Sequence, residues 1–140
     1  MKTKGNLLRI CLLGAVLLPA VVQGQFAFTT NNDAITITAY TGPGGAVIIP
    51  DRTNGYPVTG IGDFAFWYRT NLTVVTIPAG ITNLGNALFA GCRALTNVTL
   101  ANGITLIGAS MFAGCSQLPR MIIPDSVTTI NTYAFEQCTS

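Results

Sequence analysis

Four cysteines and five carboxylates are the residues of this chain whose chemistry suits a reaction, a metal or a redox link. Histidine is absent, which excludes histidine-based triads and the common zinc sites that use imidazole. No Gly-rich phosphate loop or nucleophile elbow is present. The sequence therefore predicts a protein that is not an enzyme, with no cofactor and no metal site. The carboxylates are Asp33, Asp51, Asp63, Asp125 and Glu136.

Three of the cysteines belong to a regular repeat, in which the residue number increases by a constant step of 23. The same step separates several other residues of one type, which therefore fall into columns. A period of about 20–29 residues is typical of leucine-rich solenoids. The main columns are Cys92, Cys115 and Cys138; Phe66, Phe89, Phe112 and Phe135; Leu72, Leu95 and Leu118; Ile61, Leu84, Ile107 and Ile130; and Gly62, Gly85 and Gly108.

One unit of the repeat is too small to fold alone. Ordering its backbone costs about 1–2 kcal/mol per residue, whereas about six buried apolar side chains stabilise it by roughly 1.5–3 kcal/mol each. Stacked coils bury each other and extend a parallel ladder with strands about 4.8 Å apart. Within a unit, Val98 and Leu100 alternate with polar residues as in a half-buried strand. Ile107, Met111 and Cys115 are four apart and predict a short helical turn on the opposite side, entered through the glycine column and ended by Gly91 or Gly114.

The predicted fold is thus a β-rich repeat solenoid with short helical turns, a parallel strand ladder and an N-terminal β-hairpin cap. The hairpin is predicted from two alternating segments around Asn31-Asn32-Asp33. The first repeat is longer because "DRTNGYPV" forms a surface loop. The predicted segments are a signal peptide at 1–24, a hairpin cap at 25–46, and four repeats at 47–74 (with a five-residue insertion), 75–97, 98–120 and 121–140 (incomplete).

The segment 1–24 has the order of a secretory signal peptide, with cleavage expected between Gly24 and Gln25. A basic leader precedes an apolar run that is too short for a membrane anchor, since about 20 residues are needed to span a bilayer. We therefore expect a secreted or cell-surface protein with no membrane span after cleavage. The remaining chain has four arginines against five carboxylates, a formal net charge of −1. This balance predicts no nucleic-acid partner.

The segment "VTIPAGITNLGNALFAGCRALTN", residues 75–97, resembles the BspA-like leucine-rich repeat of exported bacterial proteins. The shared pattern is a strand ending in Ile-Pro, then Val/Ile-x-x-Ile-Gly, then Ala-Phe-x-Gly-Cys and a Leu. The resemblance extends over about 47–140. It implies a curved solenoid and, by analogy with characterised members, surface adhesion or protein binding.

The cysteine column allows three interpretations. Coils about 4.8 Å apart fall within the usual disulfide range, and export permits oxidation. A metal site would need chelating geometry that a linear column does not provide. We favour small buried thiols that pack beneath the turn, because free cysteine behaves as a small hydrophobe.

Two groups of residues are candidate contacts for a protein or cell-surface ligand. On the outer strand face, the predicted stacks are Val74, Asn97 and Arg120, and Thr76, Thr99 and Ile122. Trp67 and Tyr68 stand where later repeats have Ala-Gly, and an exposed aromatic pair is a typical contact hot spot. The alternative is that this pair packs against the hairpin or the "DRTNGYPV" loop.

The sequence leaves three functions open. We favour a non-catalytic binding or adhesion module. The first alternative is a structural or assembly unit that associates end to end through an uncapped last coil. The second is an accessory domain of a longer enzyme. Since the last repeat is incomplete, we expect a fragment of a longer surface protein.

Overall fold

The computed structural model describes residues 25–140, and the predicted signal peptide lies outside them. The described chain forms a solenoid of about four turns. Within these residues there are ten β-strands and no α-helix. The strands are β1 (Phe26–Asn31), β2 (Ala34–Tyr40), β3 (Gly45–Ile48), β4 (Arg52–Thr53), β5 (Tyr56–Ile61), β6 (Leu72–Thr76), β7 (Asn83–Leu84), β8 (Asn97–Thr99), β9 (Leu106–Ile107) and β10 (Thr129–Ile130).

Parallel ladders join each coil to the next. One ladder has the order β3-β6-β8, a second joins β2, β5 and β7, and a third joins β9 to β10. The register follows the repeat, since Val75 pairs with Val98, its counterpart one repeat later. Val47 pairs with Val75 across a longer stretch of chain, because the first coil also carries the small antiparallel hairpin β4–β5. The predicted solenoid with its parallel ladder is confirmed.

Both hairpins of the N-terminal part turn on residues with positive φ. Asn32 and Asp33 join β1 to β2 with φ of 47° and 59°, and Asn54 and Gly55 join β4 to β5 with φ of 52° and 84°. Two successive positive φ values are the mark of a type I′ turn, whose twist matches that of paired strands. The Asn-Asp and Asn-Gly pairs of the sequence are the residue types that tolerate this conformation.

A row of aromatic rings forms the centre of the core. Centroids of Phe66 and Phe89 are 5.3 Å apart, those of Phe89 and Phe112 5.5 Å, and those of Phe112 and Phe135 5.3 Å. Tyr40 of β2 stacks on Phe66 at 5.0 Å. The hairpin therefore caps the first coil by supplying the next ring of the row, as well as the strand that pairs with β5.

The segments predicted as short helical turns form series of β-turns instead. Ala90 N–H donates to Ala87 O at 3.2 Å and Cys92 N–H to Phe89 O at 3.0 Å, both three residues back. The N–H of Phe89 itself donates to Met111 O of the following coil at 2.8 Å. Because alternate N–H groups are used between coils, they are not available for the i→i−4 bonds of an α-helix.

In the glycine column, close packing against the preceding coil explains Gly85 and, less severely, Gly108. Gly62, Gly85 and Gly108 all have ordinary negative φ, unlike the bend that the sequence suggested. A Cβ on Gly85 would lie 2.3 Å from the backbone nitrogen of Asp63 on the preceding coil. At the same place Asn86 N–H donates to Asp63 Oδ1 at 2.7 Å. The coils touch backbone to backbone along this edge.

Candidate functional site

The outer strand face contains four of the predicted contact residues. Val74 pairs with Asn97 and Thr76 with Thr99 in the β6–β8 ladder. The two residues of β6 are half-buried and the two of β8 are exposed. No charged side chain belongs to this group of four, so the face they form is neutral.

The predicted third member of each stack does not join the ladder. Arg120 and Ile122 lie on a segment without strand pairing, and 85% of Ile122 is exposed. One coil earlier, Thr96 N–H donates to Thr73 O at 2.8 Å. Pro119 occupies the equivalent position and has no N–H to donate. The hydrogen-bonded ladder of the outer strand face therefore ends at β8.

Three aromatic side chains project from the turn of the first coil. Phe64 is 57% exposed, Trp67 53% and Tyr68 54%. The Phe64 and Trp67 centroids are 6.2 Å apart and those of Trp67 and Tyr68 4.9 Å, both in edge-to-face geometry. We call these three residues the aromatic cluster. Trp67 and Tyr68 were predicted from the sequence, whereas Phe64 was not, because its column continues with the small residues Ala87 and Ser110 before Tyr133.

The backbone beneath the aromatic cluster is strained. Phe64 has a φ of 59° and Tyr68 a φ of 54°, a region that bulky side chains seldom adopt. Positive φ recurs at the same two positions of the later turns. In the next two repeats, Gly91 and Gly114 occupy the position of Tyr68. The turn geometry is thus shared by the repeats, but only the first coil places large aromatic side chains at both positions.

A groove of about 600 Å³ begins at Tyr68 and runs along the turns. Gly91 and Gly114 leave the backbone bare along its floor. The Tyr68 ring lies over the first of them, since a Cβ on Gly91 would be 2.9 Å from Tyr68 Cδ2. We call this feature the turn groove. Its other lining residues are Ala90, Arg93, Ala113, Ser116, Gln137 and Thr139.

The three cysteines of the column are unpaired thiols. Burial raises the pKa of Cys92 to about 11 and that of Cys115 to about 12, and it raises the pKa of Cys138 as well. The thiolate is the reactive form of cysteine, so these groups are poor nucleophiles at neutral pH. Each thiol donates to a phenylalanine carbonyl of the preceding coil, with Sγ–O distances of 3.1 Å for Cys92 to Phe66, 3.2 Å for Cys115 to Phe89 and 3.2 Å for Cys138 to Phe112.

Among residues 25–140, no three His, Cys, Asp or Glu side chains are grouped so that they could share a metal ion. Over the same part of the chain, no helix has the length and apolar character needed to cross a bilayer.

Residues 49–140 match the family model described as the BspA type leucine rich repeat region, in six copies. This match covers more than half of the chain. Among curated protein sequences, none matches this chain.

Several solved structures are similar to this solenoid. A leucine-rich repeat protein of T. pallidum is 26% identical, with a TM-score of 0.74, and the match covers 82% of this chain and 65% of that one. A leucine-rich cell surface protein of Faecalibacterium prausnitzii is 40% identical, with a TM-score of 0.72, and the match covers 82% of this chain and 33% of that one. A Bacteroides capillosus leucine-rich repeat protein is 29% identical, with a TM-score of 0.59 and coverage of 78% and 94%. The chain thus spans less than two thirds of the length of the first two.

Proposed function

The chain belongs to the BspA-type leucine-rich repeat family, and on that basis we propose that it is a non-catalytic module that binds proteins or other ligands at a cell surface. The observation that carries this proposal is the exposed aromatic cluster. Leucine-rich repeat domains generally mediate protein interactions, and one similar structure is that of a cell surface protein.

The aromatic cluster has the properties of a contact hot spot. More than half of each side chain is exposed, so these rings are not filling a space beneath the hairpin. Trp and Tyr supply large contact areas with few rotatable bonds and are enriched where binding energy is concentrated. The positive φ at Phe64 and Tyr68 is shared by the later turns, so the feature that distinguishes the first coil is the size of its exposed aromatic side chains.

The outer strand face offers a second contact area. Asn97 and Thr99 of β8 are exposed side by side with Val74 and Thr76 of β6. Exposed polar residues of this kind suit the rim of an interface, which is polar and solvent-accessible. We therefore place the energetically important contacts at the aromatic cluster and treat the outer strand face as a separate, weaker contact area.

Saturable binding to intact surfaces tests the proposal. The labelled chain is titrated onto cultured epithelial cells and onto intact Gram-positive bacteria, and bound fluorescence is measured. Trp67→Ala is expected to weaken binding about tenfold or more, as loss of a hot-spot residue does. Tyr56→Ala is the matched control, because Tyr56 is an exposed aromatic residue of the separate β4–β5 hairpin. Absence of saturable binding to either surface would show that the proposal is wrong.

Export is part of the proposed function and rests on the residues before Gln25. We expect the mature protein to begin at Gln25 after removal of a signal peptide of residues 1–24. N-terminal sequencing of the protein recovered from the medium or from the cell envelope measures this directly. Recovery of an uncleaved chain from the cytosol contradicts it.

A structural or assembly role is the second candidate. Ile130 and Tyr133 of the last coil are exposed, and within residues 25–140 Phe135 has an aromatic neighbour on one side only. End-to-end association would cover these apolar groups. It predicts oligomers that grow with protein concentration in light scattering and that Ile130→Asp abolishes. A monomer at all concentrations rules this role out for the chain alone.

A further inference from the structure

We propose that the turn groove binds a carboxylate-bearing sugar residue of a cell-surface glycan. The proposal rests on the surface-binding function above and names the chemical class of one ligand. It assigns recognition to the turn side of the solenoid, beside the aromatic cluster, rather than to the strand face.

The charge of the groove favours an anion. Among the described residues that line it, Arg93 alone is charged and none is a carboxylate. The planar guanidinium of arginine presents paired N–H donors that match a carboxylate, and such charge-assisted bonds are stronger than neutral ones. A carboxylate seated beside Arg93 therefore meets an attractive field with no opposing charge from the lining side chains.

The remaining side chains of the groove suit a ligand rich in hydroxyl groups. Ser116 and Thr139 offer hydroxyls and Gln137 offers an amide, each of which both donates and accepts hydrogen bonds. Tyr68 closes one end with an apolar ring and a polar tip. A pyranose ring has the same combination, with an apolar C–H face and hydroxyls around its edge.

The backbone of the groove is unsuited to an extended peptide. Peptides that bind by strand addition need free N–H and C=O groups along an edge. Here Gly91 N–H already donates to Ala113 O at 2.8 Å, and Gly114 N–H donates to Glu136 O at 2.7 Å. The bare floor of glycine and alanine also provides no deep apolar pocket for a side chain. Recognition must therefore come from the side chains around the groove, which are polar.

The size of the groove is adequate for a short oligosaccharide. Its volume of about 600 Å³ falls within the range of about 300–1,000 Å³ that is typical of small-molecule sites. Tyr68 and Gln137 are three coils apart, which corresponds to about 14 Å at the strand spacing. More than one sugar ring fits along this length.

Calorimetric titration of the full chain with matched acidic and neutral sugars tests the inference. The probes are trigalacturonic acid with its methyl ester, and sialyllactose with lactose. We expect at least one acid to bind roughly tenfold or more tightly than its neutral counterpart, since hydrogen bonds to charged groups are the stronger class. The two pairs distinguish a uronic acid from a sialic acid as the source of the carboxylate.

Variants of Arg93 test whether the preference for the acidic sugar arises in the turn groove. Arg93→Ala is expected to abolish the preference for the acid, and Arg93→Lys to keep part of it, because lysine retains the charge without the planar fork. Arg52→Ala is the matched control, because Arg52 is an exposed arginine of the separate β4–β5 hairpin whose loss should leave sugar binding unchanged. Thermal unfolding of each variant establishes that it is folded.

Three outcomes overturn the inference. These are equal binding of acid and neutral sugar, an acid preference that survives Arg93→Ala in a folded protein, and no binding of any of the four probes. A failure here is distinct from failure of the proposed function, because Trp67 does not line the groove. Saturable cell-surface binding that depends on Trp67 but not on Arg93 leaves the module's function in place and removes only the sugar-acid site.

Discussion

The close contact between the backbones of successive coils predicts that alanine at two glycines of one column changes stability in opposite directions. A Cβ on Gly85 would lie 2.3 Å from the nitrogen of Asp63 and 2.5 Å from the carbonyl carbon of Gly62. These neighbours are backbone atoms, so a small side-chain movement cannot relieve the overlap. Gly85→Ala must push the first two coils apart.

The separation weakens two specific hydrogen bonds. Gly85 N–H donates to Ile61 O at 2.8 Å, and Asn86 N–H donates to Asp63 Oδ1 at 2.7 Å. Overpacking costs about 1–3 kcal/mol and each weakened bond about 0.5–1.5 kcal/mol, against a gain of about 0.4–1 kcal/mol from restricting the unfolded chain. The free energy of unfolding should fall by about 3 kcal/mol.

Gly62→Ala is the matched control and should change stability in the opposite direction. The atom nearest its added Cβ is Ile37 O at 3.5 Å, an ordinary contact, so the restriction of the unfolded chain raises stability by about 0.4–1 kcal/mol. Urea unfolding followed by far-ultraviolet circular dichroism measures both variants. A Gly85→Ala protein as stable as the wild type, or two variants that shift in the same direction, refutes the close-packing account.

Three further predictions concern the core, the thiols and the coil edge. Phe112→Ala removes a buried ring with a neighbour on each face and should lower the free energy of unfolding by about 3–5 kcal/mol in the same urea titration. Phe135→Ala, at the half-buried end of the row, should lower it clearly less. Burial raises the pKa of Cys115 to about 12. The protonated thiol therefore stabilises the folded state fully below about pH 8.5. Above that pH the unfolded thiol ionises first, and the free energy of unfolding falls by about 1.4 kcal/mol per pH unit. In thermal melts from pH 7 to 11, the Tm of Cys115→Ser should decline less steeply with pH than the Tm of the wild type. Equal slopes of Tm against pH would contradict a raised pKa for the buried Cys115 thiol. Asp63→Ala should lower the free energy of unfolding by about 1 kcal/mol, while Asp125→Ala, which removes no side-chain hydrogen bond present in residues 25–140, should have little effect by differential scanning calorimetry.

Residue columns predict the parts of this fold that repeat. The ring row from Phe66 to Phe135 follows from spacing alone, because identical side chains stack when coils are in register. Strand pairing was expected at Arg120 but does not form there. The columns compare side chains, whereas the ladder depends on a backbone N–H that Pro119 lacks. The predicted helical turns failed for a related reason. Spacing of about four residues does not reveal that alternate N–H groups bond to the next coil.

The candidate site was predictable only where a column changes its residue type. Trp67 and Tyr68 interrupt columns that otherwise contain Ala and Gly in the next two repeats, and this contrast marked them in the sequence. Phe64 gave a weaker signal, since its column varies throughout. The role of Arg93 in the turn groove could not be found from spacing, because a groove depends on which side chains are missing around it as well as on those present.

The backbone bonds between successive turns give the solenoid a direction. On the turn side the earlier coil donates to the later one, as from Phe89 N–H to Met111 O, whereas on the strand side the later coil donates to the earlier one, as from Thr96 N–H to Thr73 O. At the N-terminal side, the carbonyl of Ala65 is satisfied by Tyr40 N–H at 2.7 Å, whereas Phe135 N–H meets no backbone acceptor within residues 25–140. A coil therefore presents donors to the next coil on one side and acceptors on the other, so a neighbour satisfies both sides only when it lies over that coil in the same parallel sense.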